Sequence, residues 1–348
     1  MNLDSIVREN IRCLTPYSSA RKEFSGAAQI FLDANENSFG SPLPTNYNRY
    51  PDPLQWQIKE KVAAINSVKP SEIFIGNGSD EAIDLLFRIF CEPKKDNVLI
   101  CPPTYGMYQV SAEINDVAIK RANLTADFQL DLTAIDAAID ANTKLLFVCS
   151  PNNPTGNSLA RQQILDLAKK FNGIVIVDEA YIHFSSEKSL LSEINNLPNL
   201  VVLQTFSKAW GLAGLRVGLA FANAEIIDYF NKTKPPYNIS EIAQNAILDA
   251  LENAEKVKKT IDEIILEREK LIKNLRDLSI VTNIYPTDAN FVLVKTTDAE
   301  KIYKFLLDEK IVVRNRNNVE LCEGCLRITI GTAEENEKLV KTLGKLTT

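Results

Sequence analysis

Between residues 79 and 221, short apolar runs alternate with stretches of helical spacing, and that alternation leaves the chain few architectures to choose from. The runs are Asn97–Cys101, Val117–Arg121, Lys144–Cys149, Ile174–Val177, Leu200–Leu203 and Val217–Phe221. Ser79–Cys91, Tyr105–Ile114, Leu132–Ile139 and Leu159–Phe171 have helical spacing and lie before and between them. A strand apolar at nearly every position has to be covered on both faces, and parallel sheets achieve this with crossover helices. The expected fold class is therefore α/β: a three-layer, mostly parallel sheet with helices on both faces.

Gln55–Asn66 also has helical spacing, residues 30–54 are rich in Asn, Pro and Gly and read as irregular, and residues 1–25 read as a helical arm ending in a loop. After Pro235-Pro236 the pattern changes. Ser240–Asp277 reads as mostly one long helix, followed by a mixture of helices and the strands Phe291–Val294, Ile311–Arg314 and Cys325–Ile330. A chain of 348 residues accommodates two domains. We expect an N-terminal arm over 1–45 that joins a smaller α+β domain, a large domain over 46–238, and a linking helix plus the small domain over 239–348.

A net charge of −6 and the lack of a basic block give no reason to expect nucleic acid or an anionic membrane as partner. No apolar run is long enough to cross a bilayer, and residues 1–30 do not read as a signal peptide, so a cytoplasmic protein is expected. The six cysteines are scattered, and Cys322 and Cys325 lack a second pair to complete a zinc site. His183 is the only histidine, which removes histidine-cluster metal sites. No metal is expected.

Ligands of open α/β sheets bind beyond the carboxyl ends of the strands. After Lys144–Cys149 comes Ser150-Pro151-Asn152-Asn153-Pro154-Thr155-Gly156, and after Ile174–Val177 comes Asp178-Glu179-Ala180-Tyr181. After Leu200–Leu203 come Thr205, Ser207, Lys208 and Arg216, while Gly76-Asn77-Gly78-Ser79-Asp80 precedes the helix at 79. Polar and ionisable groups thus gather at one sheet edge. A glycine followed by a helix N-terminus can bind a phosphate through free N–H groups, or can be an ordinary cap built by Ser79 or Asp80.

In this order, NNPTG, DEAY and Ser207-Lys208 with Arg216 eight residues further on resemble the fold-type I pyridoxal-phosphate aminotransferases. Within them the chain is similar to the histidinol-phosphate aminotransferase family, from Leu14-Thr15-Pro16-Tyr17 to Leu326-Arg327-Ile328-Thr329-Ile330-Gly331-Thr332. The resemblance implies pyridoxal 5'-phosphate as cofactor, with Lys208 bonding its aldehyde and Asp178 holding its ring nitrogen protonated. Asn153 and Tyr181 are implied to meet its phenolic oxygen and Tyr105 to stack on its ring. Gly78, Ser79, Asp80, Thr205, Ser207 and Arg216 are implied to hold its phosphate. Tyr50 is implied to reach that phosphate from a neighbouring subunit, which makes a homodimer with shared sites. Arg327 is implied to grip a substrate carboxylate or equivalent anion. Arg314 is implied to bind the phosphate of histidinol phosphate, with Arg316 close enough to compete for that role. Tyr17 belongs to the same pattern, and Asn153 also touches substrate. Glutamate and 2-oxoglutarate are the implied second pair of substrates. Trp210 stands where the family often has phenylalanine.

Overall fold

The computed structural model describes residues 3–17 and 30–346. The large sheet has seven strands: β1 (Ile73–Asn77), β2 (Asn97–Ile100), β3 (Ala118–Arg121), β4 (Thr143–Cys149), β5 (Ile174–Asp178), β6 (Leu200–Thr205) and β7 (Val217–Ala222). Their spatial order is β1-β7-β6-β5-β4-β2-β3. Six strands run parallel, and β7 lies antiparallel between β1 and β6. That reversal has a local cause: residues 206–216 return the chain directly beside β6, without the crossover helix that a parallel neighbour needs.

The helices are α1 (Glu9–Arg12), α2 (Trp56–Asn66), α3 (Ser79–Phe90), α4 (Met107–Ile114), α5 (Leu132–Ala138), α6 (Arg161–Lys170), α7 (Ala224–Thr233), α8 (Glu241–Leu251), α9 (Ala254–Arg276), α10 (Ala299–Asp308) and α11 (Ala333–Gly344). The continuous apolar runs serve two cores at once. Val175 and Val177 enter a core shared with α2 and α6, while Ile174 and Ile176 enter one shared with α3 and α7.

Four further strands, β8 (Val281–Ile284), β9 (Phe291–Thr296), β10 (Arg314–Asn315) and β11 (Cys325–Thr329), form an antiparallel sheet in the order β10-β11-β9-β8. Its core combines Leu271 and Leu275 of α9 with Val292, Val294, Leu326, Ile328 and Leu339. Because Leu326 and Ile328 point into that core, Arg327 projects from the opposite face.

Several elements differ from the sequence-based expectation. Helical structure in the described part of the arm is limited to the short segments Leu3–Ser5 and Glu9–Arg12, and residues 18–25 lie outside the described residues. Leu3, Ile6, Val7 and Ile11 pack with α3 and α7 on the large sheet, so this part of the arm does not join the small domain as expected. The stretch 240–277 is broken between α8 and α9, where Asn253 leaves helical geometry. The strand expected at Ile311–Arg314 is confined to Arg314–Asn315. Strands β1 and β8 and helix α7 were not expected from the sequence: β1 has only three apolar residues before Gly76-Asn77, β8 has no fully buried residue, and α7 buries only Ile226, Ile227 and Phe230. Among the described residues no helix is long and apolar enough to cross a membrane.

Candidate active site

The carboxyl ends of β4, β5 and β6, the first turn of α3 and the arginine-bearing face of the small sheet enclose a cavity of about 690 Å³. Strands place each group. Lys208 follows β6 in the turn that reverses the chain, a turn held by the Ser207 N–H donating to Thr205 Oγ1 at 3.0 Å. Its Nζ lies 5.7 Å from the centroid of the Tyr181 ring. Burial is the main force lowering the pKa of this lysine, and the Arg327 and Arg216 guanidiniums act in the same direction against Asp178 and Asp80. A lowered pKa makes the nucleophilic free amine more accessible.

Asp178 ends β5 and is 3% exposed. Both of its hydrogen bonds come from neutral donors: the Tyr108 hydroxyl to Oδ2 at 2.7 Å and the Ala180 N–H to Oδ1 at 3.1 Å. Burial raises its pKa, and the Tyr108 bond opposes that rise. Glu179 faces the other way, where Ser189 Oγ, the Leu190 N–H and Gln204 Nε2 donate to it. The alternation along the strand thus selects Asp178 for the cavity. Tyr108 was missed from the sequence. Its signal is its position one helical turn after Tyr105, whose ring it meets edge-on at 5.6 Å.

At the far end, Gly78 precedes the first turn of α3, which has no side-chain cap. Its first N–H groups are therefore not satisfied by Ser79 or Asp80 as an ordinary cap would do. Gly78 has φ +75°, and a Cβ there would stand 2.8 Å from Arg216 Nη2. Asp80 accepts from Tyr105 OH at 3.1 Å and pairs with Arg216 at 3.3 Å, which fixes both partners beside the helix start. Gly218 was also missed: a Cβ on it would lie 2.1 Å from the Ser79 nitrogen. Only glycine lets β7 approach the mouth of α3 this closely.

At the mouth, Arg327 donates to Asn153 Oδ1, and Asn153 Nδ2 donates to Tyr181 OH at 3.3 Å. Arg314 lies directly opposite Arg327 in the β10–β11 pairing, and Arg316 lines the same cavity. Two expected residues lie elsewhere in this single chain. Tyr17 is 72% exposed and does not line the cavity, and Tyr50 is half exposed and stacks on Tyr237 at 4.4 Å. Trp210 packs edge-on against Phe206.

This donor set fits pyridoxal phosphate. A buried carboxylate bonded only to neutral donors suits a cationic ring nitrogen, an uncapped helix N-terminus beside an arginine suits a phosphate dianion, and a lysine with a lowered pKa suits an aldehyde.

The family model described as aminotransferase class I and II matches residues 34–343. The chain belongs to the class I and II aminotransferases. It is 50% identical over 342 residues to histidinol-phosphate aminotransferase of Cytophaga hutchinsonii, covering 98% of each chain. Among solved structures it is similar to the histidinol-phosphate aminotransferase from Clostridium acetobutylicum, with a TM-score of 0.80, 25% identity, and coverage of 86% of this chain and 91% of that one. The Sinorhizobium meliloti histidinol-phosphate aminotransferase, solved with pyridoxal-5'-phosphate, shares the fold with a TM-score of 0.80 at 24% identity, covering 90% of this chain and 89% of that one.

Proposed function

We propose that this chain is a pyridoxal-phosphate-dependent histidinol-phosphate aminotransferase, moving an amino group between histidinol phosphate and 2-oxoglutarate in histidine biosynthesis. The observation that carries the substrate reading is the placement of Arg314 directly across from Arg327 above the cavity. Among the described residues neither is paired with a carboxylate, Arg327 donating to the neutral Asn153 amide, so the mouth is suited to receive anions.

Bound pyridoxal phosphate supplies an aldehyde that takes up the amino nitrogen and a protonated ring that accepts electrons from the neighbouring carbon. The chain does the rest. Ser79 and Asp80 offer backbone N–H groups to the phosphate and Gly78, its own N–H bonded to the Arg216 carbonyl, lets it approach, with Thr205, Ser207 and Arg216 beside them. Asp178 holds the ring nitrogen protonated, and Tyr108 holds Asp178. Asn153 and Tyr181 donate to the phenolic oxygen, and Tyr105 stacks on the ring. Lys208 would hold the aldehyde, and its amine would move the proton at the substrate carbon that bears the nitrogen. Arg314 reads the substrate phosphate, and Arg327 meets the carboxylate of glutamate and shares the phosphate load. Tyr17 closes over the substrate from the arm, and Tyr50 reaches the cofactor phosphate of a second copy, so the working unit is a cytoplasmic homodimer. Its partners are small molecules, not nucleic acid or membrane.

Steady-state turnover of histidinol phosphate with 2-oxoglutarate, compared with phenylalanine, tyrosine and phosphothreonine, tests the reading. Preference for the aromatic amino acids would make it an aromatic aminotransferase, and carbon dioxide released from phosphothreonine would make it a decarboxylase on the same scaffold.

A further inference from the structure

We propose that Arg316 is a specificity-determining residue, which selects a substrate carrying a phosphate monoester over one carrying only carboxylates. The inference rests on the histidinol-phosphate reading above and assigns it a cation that the reading does not require.

Arg316 extends the β10–β11 ladder by one residue, its N–H donating to the Cys325 carbonyl at 2.9 Å. Side chains alternate along a strand, so Arg316 shares a face with Arg314 and, across the pairing, with Arg327. All three line the cavity. Their depths differ. Arg314 is exposed and free to swing into solvent, whereas Arg316 and Arg327 are half-buried. The Nε atoms of Arg316 and Arg327 are both buried without a hydrogen-bond partner.

That arrangement is costly when the site is empty. Like charges facing one another on neighbouring strands repel, and a buried donor without an acceptor loses its hydration for nothing. Burial and the Arg314 charge both press the Arg316 guanidinium toward a lower pKa. An anion with more than one charge relieves both costs. A single carboxylate is satisfied by one bidentate guanidinium, here Arg327. A phosphate monoester carries about −1.5 to −2 charges near neutral pH on three terminal oxygens, and so uses further guanidinium donors. Arg316 is the cation held at that depth.

The test uses holoenzyme with Arg316→Gln and Arg316→Lys. kcat/KM is measured for the histidinol-phosphate and glutamate half reactions, together with inhibition of the glutamate half reaction by inorganic phosphate. With Arg316→Gln the ratio of the two half reactions should fall at least about tenfold against histidinol phosphate, and phosphate inhibition should weaken by a similar factor. Arg316→Lys should recover part of both, because it restores the charge. The melting temperature of substrate-free Arg316→Gln should not fall, since a repulsion has been removed; a clear drop with equal loss in both half reactions would assign Arg316 a structural role and overturn the proposal. If wild type ignores histidinol phosphate but phosphate inhibition still depends on Arg316, the substrate reading fails and the role of Arg316 as a dianion reader stands. If wild type uses histidinol phosphate and Arg316→Gln uses it equally well, the role of Arg316 fails and the substrate reading stands.

Discussion

Lys208 is surrounded by influences of opposite sign, and their order decides its chemistry. Burial dominates and lowers its pKa, Arg327 adds to that, and Asp178 opposes it. A free lysine would be protonated below a pH of about 10.4. The rate at which apoenzyme takes up pyridoxal phosphate should therefore rise with pH through a midpoint below the free-lysine value. Arg327→Ala removes a neighbouring cation and admits water, and both changes favour the ammonium, so the midpoint should move up. A midpoint that stays put or falls in Arg327→Ala would remove Arg327 from the control of Lys208. Lys208 and Asp178 were legible because each ends or follows a clear apolar strand, whereas Arg327 was singled out only by the family resemblance of Leu326-Arg327-Ile328-Thr329-Ile330-Gly331-Thr332. The sequence did not disclose Tyr108, because a hydrogen bond between α4 and β5 joins residues 70 positions apart, and neither residue type announces the pairing. Nor did it separate Arg314 from Arg316, since relative burial depends on how β10 ends.

At the scale of elements, the phosphate end of the cavity depends on how closely β7 approaches α3. Gly218 is the contact point, and an added methyl would lie against the backbone of Gly78 and Ser79. Backbone cannot rotate away as a side chain can, so Gly218→Ala should push the helix start outward. Overpacking of this kind typically costs about 1–3 kcal/mol. We expect a lower melting temperature and cofactor affinity weakened roughly tenfold or more, read by titrating apoenzyme. Unchanged affinity would mean that the α3 N-terminus does not hold the phosphate. The central strands β4, β5 and β6 were legible because burial on both faces forces an unbroken apolar run. The reversed direction of β7 was not, because apolar content carries no information about strand direction. The break before α9 was missed for a related reason: Asn253 is an ordinary polar residue within a stretch of good helical spacing.

For the whole molecule, we propose the division expected from sequence, a large domain over 46–238 and a linking helix with a small domain over 239–348, with residues 3–11 of the arm assigned to the large sheet. The surface carries Leu32, Phe39, Leu43 and Tyr50 on the segments that lead into α2 and Trp56 at its first position, all large exposed side chains. We propose that a second copy covers that region and that Tyr50 reaches its partner's cofactor phosphate. Mixing Tyr50→Ala with Lys208→Ala tests this. A hybrid dimer would carry both lesions in one site and leave the other intact, so activity absent from each variant alone should reappear. No recovery in proven hybrids would return Tyr50 to its own subunit or remove it from the site. The central claim is the transfer of nitrogen from histidinol phosphate, and its most direct test is single-turnover transfer from the 15N-labelled amine. Holoenzyme given labelled histidinol phosphate alone, then 2-oxoglutarate after the first product is removed, should deliver one labelled glutamate per active site, and Lys208→Ala should deliver none. Label that stays in histidinol phosphate, or leaves as ammonia, would contradict the account.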